Sequence, residues 1–97
     1  MPKGYWISLY RTTSTPDALA RYATLAGPLV LALGGRFLAR AVASKAYEAG
    51  VAARTVIIEF ETIEAALAAY ENPAYREAMT LLGDTVERDV RIVEGVE

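Results

Sequence analysis

Residues 54–60, RTVIIEF, form the stretch richest in β-branched side chains, and Val56, Ile57 and Ile58 in succession favour the pleated surface of a sheet over a helix. Upstream, residues 36–42, RFLARAV, read as a second strand, joined to the first by residues 43–53 around Gly50. That loop is long for a tight hairpin but compatible with one. Downstream, Thr62 can cap a helix beginning at Ile63, with Ile63, Ala66, Leu67 and Tyr70 as its buried stripe. Asn72-Pro73 interrupts it, a shorter helical piece follows over residues 74–82, and residues 89–94, DVRIVE, alternate as a closing strand.

Before the 36–42 strand, residues 5–11, YWISLYR, alternate Tyr5, Ile7 and Leu9 with Trp6, Ser8 and Tyr10, which is a strand. The hydroxyl-rich residues 12–15 then lead into Pro16, suited to the first position of a helix. Its stripe of Leu19, Tyr22, Ala23, Ala26, Val30 and Leu33 keeps helical spacing, while Pro28 removes a hydrogen bond and should kink or split it. Gly34-Gly35 is its stop. This pair follows a helix and precedes a strand, the reverse of a phosphate-binding loop.

The order strand, helix, strand, strand, helix, strand is the split βαβ arrangement. It predicts a single α+β domain over residues 1–97: a ferredoxin-like βαββαβ fold with a four-stranded antiparallel sheet and both helices on one face. The other face is left open. With Trp6 and Tyr10, or Ile57, on it, that face would be a large apolar patch needing a second sheet, a ligand, or both to cover it. A homodimer follows as the expectation.

A chain of 97 residues can bury a little more than about 60% of its unfolded surface, enough for one core without staples. Its 54% hydrophobic content exceeds what one small interior needs, which again suggests a partner chain. Ten basic against twelve acidic residues give a net charge of −2 with no basic cluster, so nucleic acid is not an expected partner. The first residues lack the pattern of a signal peptide, and the apolar stretch 27–35 is too short to span a bilayer, so a cytoplasmic location away from membranes is expected. Histidine and cysteine are both absent, which removes Cys/His zinc sites, haem ligation through either, cysteine nucleophiles and Ser-His-Asp triads. Lys3 and Lys45 are the only lysines, neither placed for a buried Schiff base, and no acidic cluster has calcium-loop spacing. No cofactor and no metal are expected.

Gly4-Tyr5-Trp6, Tyr22, the 34–40 segment GGRFLAR, the strand ending Glu59-Phe60, Asn72-Pro73-Ala74-Tyr75 and the final Val93-Glu94-Gly95, taken in order, resemble the family called domain of unknown function 1330. The resemblance implies a dimeric α/β barrel in which two ferredoxin-like sheets face each other, with a pocket in each protomer. Relatives by fold include cofactor-free monooxygenases, isomerases and cyclases, so the fold selects no single reaction.

Arg40 and Glu59 stand out because each sits in an otherwise apolar strand, where a lone buried charge costs several kcal/mol. They either pair across the strands or face a polar pocket, and the hairpin register decides which. In a pocket, Glu59 would serve as general acid or base and Arg40 as a clamp for a carboxylate or enolate. Tyr22 and Tyr75 are either core residues with satisfied hydroxyls or donors to a substrate carbonyl. Trp6 is either packing at the dimer contact or an aromatic wall, and Arg36 either an exposed strand start or an anion contact. A small cofactor-free enzyme acting on an oxygenated organic molecule is the leading reading. A non-catalytic dimeric binding module is the alternative.

Overall fold

The computed structural model describes residues 2–12, 16–83 and 86–97. Seven elements follow one another: β1 (Gly4–Tyr10), α1 (Pro16–Ala32), β2 (Arg36–Val42), β3 (Arg54–Phe60), α2 (Ile63–Glu71), α3 (Pro73–Met79) and β4 (Arg88–Glu94). The sheet order is β2-β3-β1-β4 with antiparallel pairing throughout. Each βαβ unit is thus split by a strand of the other, which is the ferredoxin-like α+β topology. At 38 × 34 × 17 Å the molecule is thin enough for one sheet and one helical layer.

Thr62 accepts from the Ala65 amide and opens α2 as a hydroxyl cap. Asn72 ends α2 and opens α3, its side chain accepting from the Ala74 amide with Pro73 at the first helical position. Proline therefore starts α3 one residue before the expected 74–82 piece, and the helix stops at Met79. The hydroxyls at 13–15 expected to cap α1 lie outside the described residues. Helix α1 continues through Pro28 as one 17-residue helix, without the expected split. Gly34 leaves it at φ 96°, a conformation that favours glycine. Gly35 lets β2 close on the core, since a Cβ there would fall 2.7 Å from Val30 Cγ1 and 2.9 Å from Ile58 Cγ2.

Burial alternates along β1 and, from Thr55 onward, along β3, with Trp6, Ser8, Tyr10, Val56, Ile58 and Phe60 under the helices. This corrects the alternative that put Trp6 and Tyr10 on the open face. Trp6 is 1% exposed, so it is core and not a dimer contact. It meets Tyr75 edge-on at 4.8 Å and Tyr70 at 5.2 Å between ring centroids. The buried stripe of α2 also differs, because Ala66 and Ala69 face inward while Leu67 is exposed. The open face carries Tyr5, Ile7, Leu9, Ile57, Glu59 and Val93.

Candidate functional site

Strand register sorts the helix-covered face into rows of differing polarity. Ile92, Trp6, Ile58 and Phe37 align across the four strands, and the next row is Val90, Ser8, Val56 and Arg40. Beyond it, Arg88 pairs with Tyr10 and Arg54 with Val42. Along the strands the surface therefore grades from aromatic and aliphatic to cationic within about 14 Å, two steps of roughly 7 Å.

Helix α1 lies over these rows with Ala23, Ala26 and Gly27, whose small side chains leave a cavity of about 40 Å³ beneath them. That enclosed part is space for a few water molecules, and the end lined by the exposed Arg40 opens to solvent, where a larger ligand can extend. Trp6, Ile58 and Phe37 form its floor, and Arg40, Arg54 and Arg88 line its charged end. Among the described residues that line it there is no Asp, Glu or Lys.

Two phenols meet beside this cavity. Tyr22 comes from α1 and Tyr75, fully buried, from α3, and their Oη atoms lie 2.6 Å apart. Arg88 Nη1 donates to both phenol oxygens at 3.4 Å, at the weak end of hydrogen bonding. Burial is the main cause that pushes both phenols above their ordinary range, opposed in part by Arg88. Both are therefore neutral hydrogen-bond donors near pH 7. Burial works against the Arg88 charge, but its interactions with the Tyr75 and Tyr22 oxygens leave its pKa above the ordinary arginine value.

Arg40 and Glu59 do not share a face. Register shifts between Phe37 and Ala39, so Leu38 is an extra residue with no partner on β3. Without that bulge Arg40 would share the side of Arg36, two even steps away. With it, Arg40 turns inward and its guanidinium lies 4.2 Å over the Phe37 ring. Glu59 stays on the open face, where it accepts from Tyr5 Oη at 3.1 Å and lies 4.0 Å from Arg36 Nε. Of the six residues singled out from the sequence, the cavity thus gathers Trp6, Tyr22 and Arg40, with Tyr75 behind Tyr22. Arg36 and Glu59 form a separate pair on the other side of the sheet.

Arg54, Arg88 and Tyr10 were not singled out. Arg54 has the parity of Val56, Ile58 and Phe60, and Arg88 that of Val90 and Ile92, so extending each alternation back to its first residue would have found them. No group of three or more His, Cys, Asp or Glu among the described residues is placed to hold a metal ion.

Solved structures share this fold at low identity. A protein of unknown function from Rhodopseudomonas palustris aligns over 99% of this chain and 84% of its own, at 19% identity and a TM-score of 0.69. A dimeric ferredoxin-like protein of unknown function from Thermobifida fusca covers 96% and 91%, at 19% and 0.63. SnoaB, a cofactor-independent oxygenase from Streptomyces nogalater, covers 100% and 96%, at 11% and 0.67. No curated protein matches the sequence. The model of the family described as domain of unknown function DUF1330 matches residues 3–96, and the chain belongs to that family.

Proposed function

We propose that the cavity between the sheet and α1 is the small-molecule site of a cofactor-free enzyme acting on an oxygenated organic molecule, and that the chain works as a cytoplasmic homodimer. The observation that carries this reading is the convergence of three guanidiniums and a hydrogen-bonded phenol pair on one cavity with an apolar floor. Arg40 acts as electrostatic clamp, Tyr22 as hydrogen-bond donor to a substrate oxygen, and Trp6 as aromatic wall. Tyr75 positions Tyr22.

A side-chain base is missing from the described lining, and both phenols are held protonated. The site is therefore suited to stabilising charge that develops on a substrate oxygen, in the manner of an oxyanion hole. Glu59, on the far face, plays no part in this. The cofactor-free reading is supported by SnoaB, a cofactor-independent oxygenase of similar fold. The missing base equally favours a second reading, a binding module without catalysis.

The test is incubation of the protein with enolisable and phenolic compounds, following conversion by mass spectrometry and occupancy by Trp6 fluorescence. Conversion that falls in Tyr22→Phe and Arg40→Gln supports the enzyme. Saturable occupancy without conversion leaves the binding module, and a Trp6 signal that no compound alters removes the site.

A further inference from the structure

We propose that the cavity selects small organic monoanions, with a carboxylate or enolate held by Arg54 and Arg40 and an apolar body laid against Trp6. This rests on the reading of the cavity as the ligand site and adds the charge and orientation of what enters.

The three arginines are not equivalent. Arg88 already donates to Tyr22 and Tyr75. The Arg54 and Arg40 guanidiniums make no hydrogen bond or ion pair among the described residues; Arg54 lies 5.9 Å from the Tyr10 ring centroid, and Arg40 lies 4.2 Å over the Phe37 ring with Nη1 beside Gly27. Arg54 Nε is buried and has no hydrogen-bond partner among the described residues. A half-buried guanidinium whose Nε lacks an acceptor carries a desolvation penalty that an incoming anion relieves.

Register places the two side by side. Arg40 faces Val56 and Arg54 faces Val42, so they are diagonal neighbours on adjacent strands, close enough for long side chains to converge. Two forked donors lining one cavity suit a planar oxyanion with two acceptor oxygens. The floor away from the arginines is apolar, with Ile58, Phe37 and Val30 beside Trp6, so the ligand has one charged end and one greasy end. The chain as a whole carries −2, so the positive site arises from placement and not from overall charge. The confined volume beneath α1 argues against a polyanion.

Trp6 is the only tryptophan in the chain and forms the floor of the cavity, which gives a built-in reporter. Wild-type protein would be titrated with benzoate, benzamide and benzylamine, reading Trp6 fluorescence and thermal shift together. Benzoate should bind about tenfold or more tighter than benzamide, and benzylamine should not register, as expected when charge-assisted hydrogen bonds decide affinity. Arg54→Gln and Arg40→Gln should each weaken benzoate about tenfold and leave benzamide unchanged, while Arg21→Gln on the exposed side of α1 changes neither. Arg40 is exposed, so its variant tests the clamp even if Arg54→Gln fails to fold. Equal binding of benzoate and benzamide at Trp6 overturns the anion preference and keeps the site. A Trp6 silent to all three probes overturns both. A benzoate thermal shift that leaves Trp6 unchanged and persists in Arg40→Gln marks adventitious surface binding and also overturns the proposal.

Discussion

Tyr75 has no exposed surface, and among the described residues its hydroxyl has partners only in Tyr22 at 2.6 Å and the more distant Arg88. Removing that oxygen in Tyr75→Phe keeps the ring contacts with Trp6 but leaves the Tyr22 hydroxyl with Arg88 alone. The expected loss is about 1–2 kcal/mol in urea denaturation, and adding Tyr22→Phe should cost less than the sum of the two singles, because the same bond is lost in each. The phenols also link stability to alkaline pH. Burial holds both above their ordinary 10.0 in the folded chain, so between that value and the raised one the native state binds more protons than the unfolded state. Their contribution is complete below pH 10 and declines as pH rises above it. The denaturation midpoint of wild type should therefore fall more steeply above pH 10 than that of Tyr75→Phe; parallel slopes would refute the linkage.

Helix α1 trades its own stability for the cavity. Gly27 is buried in mid-helix, where glycine costs roughly 1 kcal/mol against alanine, and a Cβ there would meet only Arg40 Nη1, at an ordinary 3.7 Å. Gly27→Ala should raise the melting temperature and weaken benzoate at Trp6; an unchanged affinity would mean that the ligand does not reach under α1. The elements themselves were legible, since RTVIIEF and YWISLYR announce strands by composition, and Thr62 and Asn72-Pro73 mark helix ends by their chemistry. Their faces were harder to read. In β1 both alternating sets hold large apolar residues, Tyr5, Ile7 and Leu9 against Trp6 and Tyr10, so period alone does not say which lies under the helices. In β2 the single extra residue at Leu38 reverses parity for all that follows, and no proline or glycine within the strand signals the bulge. Arg40 and Glu59 therefore part company for a reason local to one residue. Arg88, in the charged run Arg88-Asp89, reads as solvated until the Tyr10 pairing carries the strand back to it.

At the scale of the whole molecule, one sheet face is covered by helices and the other is not. Ile57 sits at the centre of the uncovered face, paired with Ile7 on one side and Ala39 on the other. Charges lie on this face in mixed sets, Glu59 and Arg36 at one end, and Arg11 with Asp89 at the other, where Arg91 of the Ile7 row on edge strand β4 also pairs with Asp89. Because each set holds both signs, a second copy related by a two-fold axis can oppose it without a net clash, and the apolar centre supplies the driving force. Wild-type protein is expected to sediment at twice its 10.5 kDa chain mass. Ile57→Glu would place two carboxylates against each other near the axis and should sediment as a monomer. Since Ile57 points away from the core, that monomer should keep the far-ultraviolet circular dichroism of the parent. Benzoate should still reach Trp6, because the cavity lies between the sheet and α1, on the side of the sheet opposite Ile57. A wild type that stays monomeric at high concentration would refute the dimer, and a monomeric variant blind to benzoate would show that the partner shapes the cavity after all.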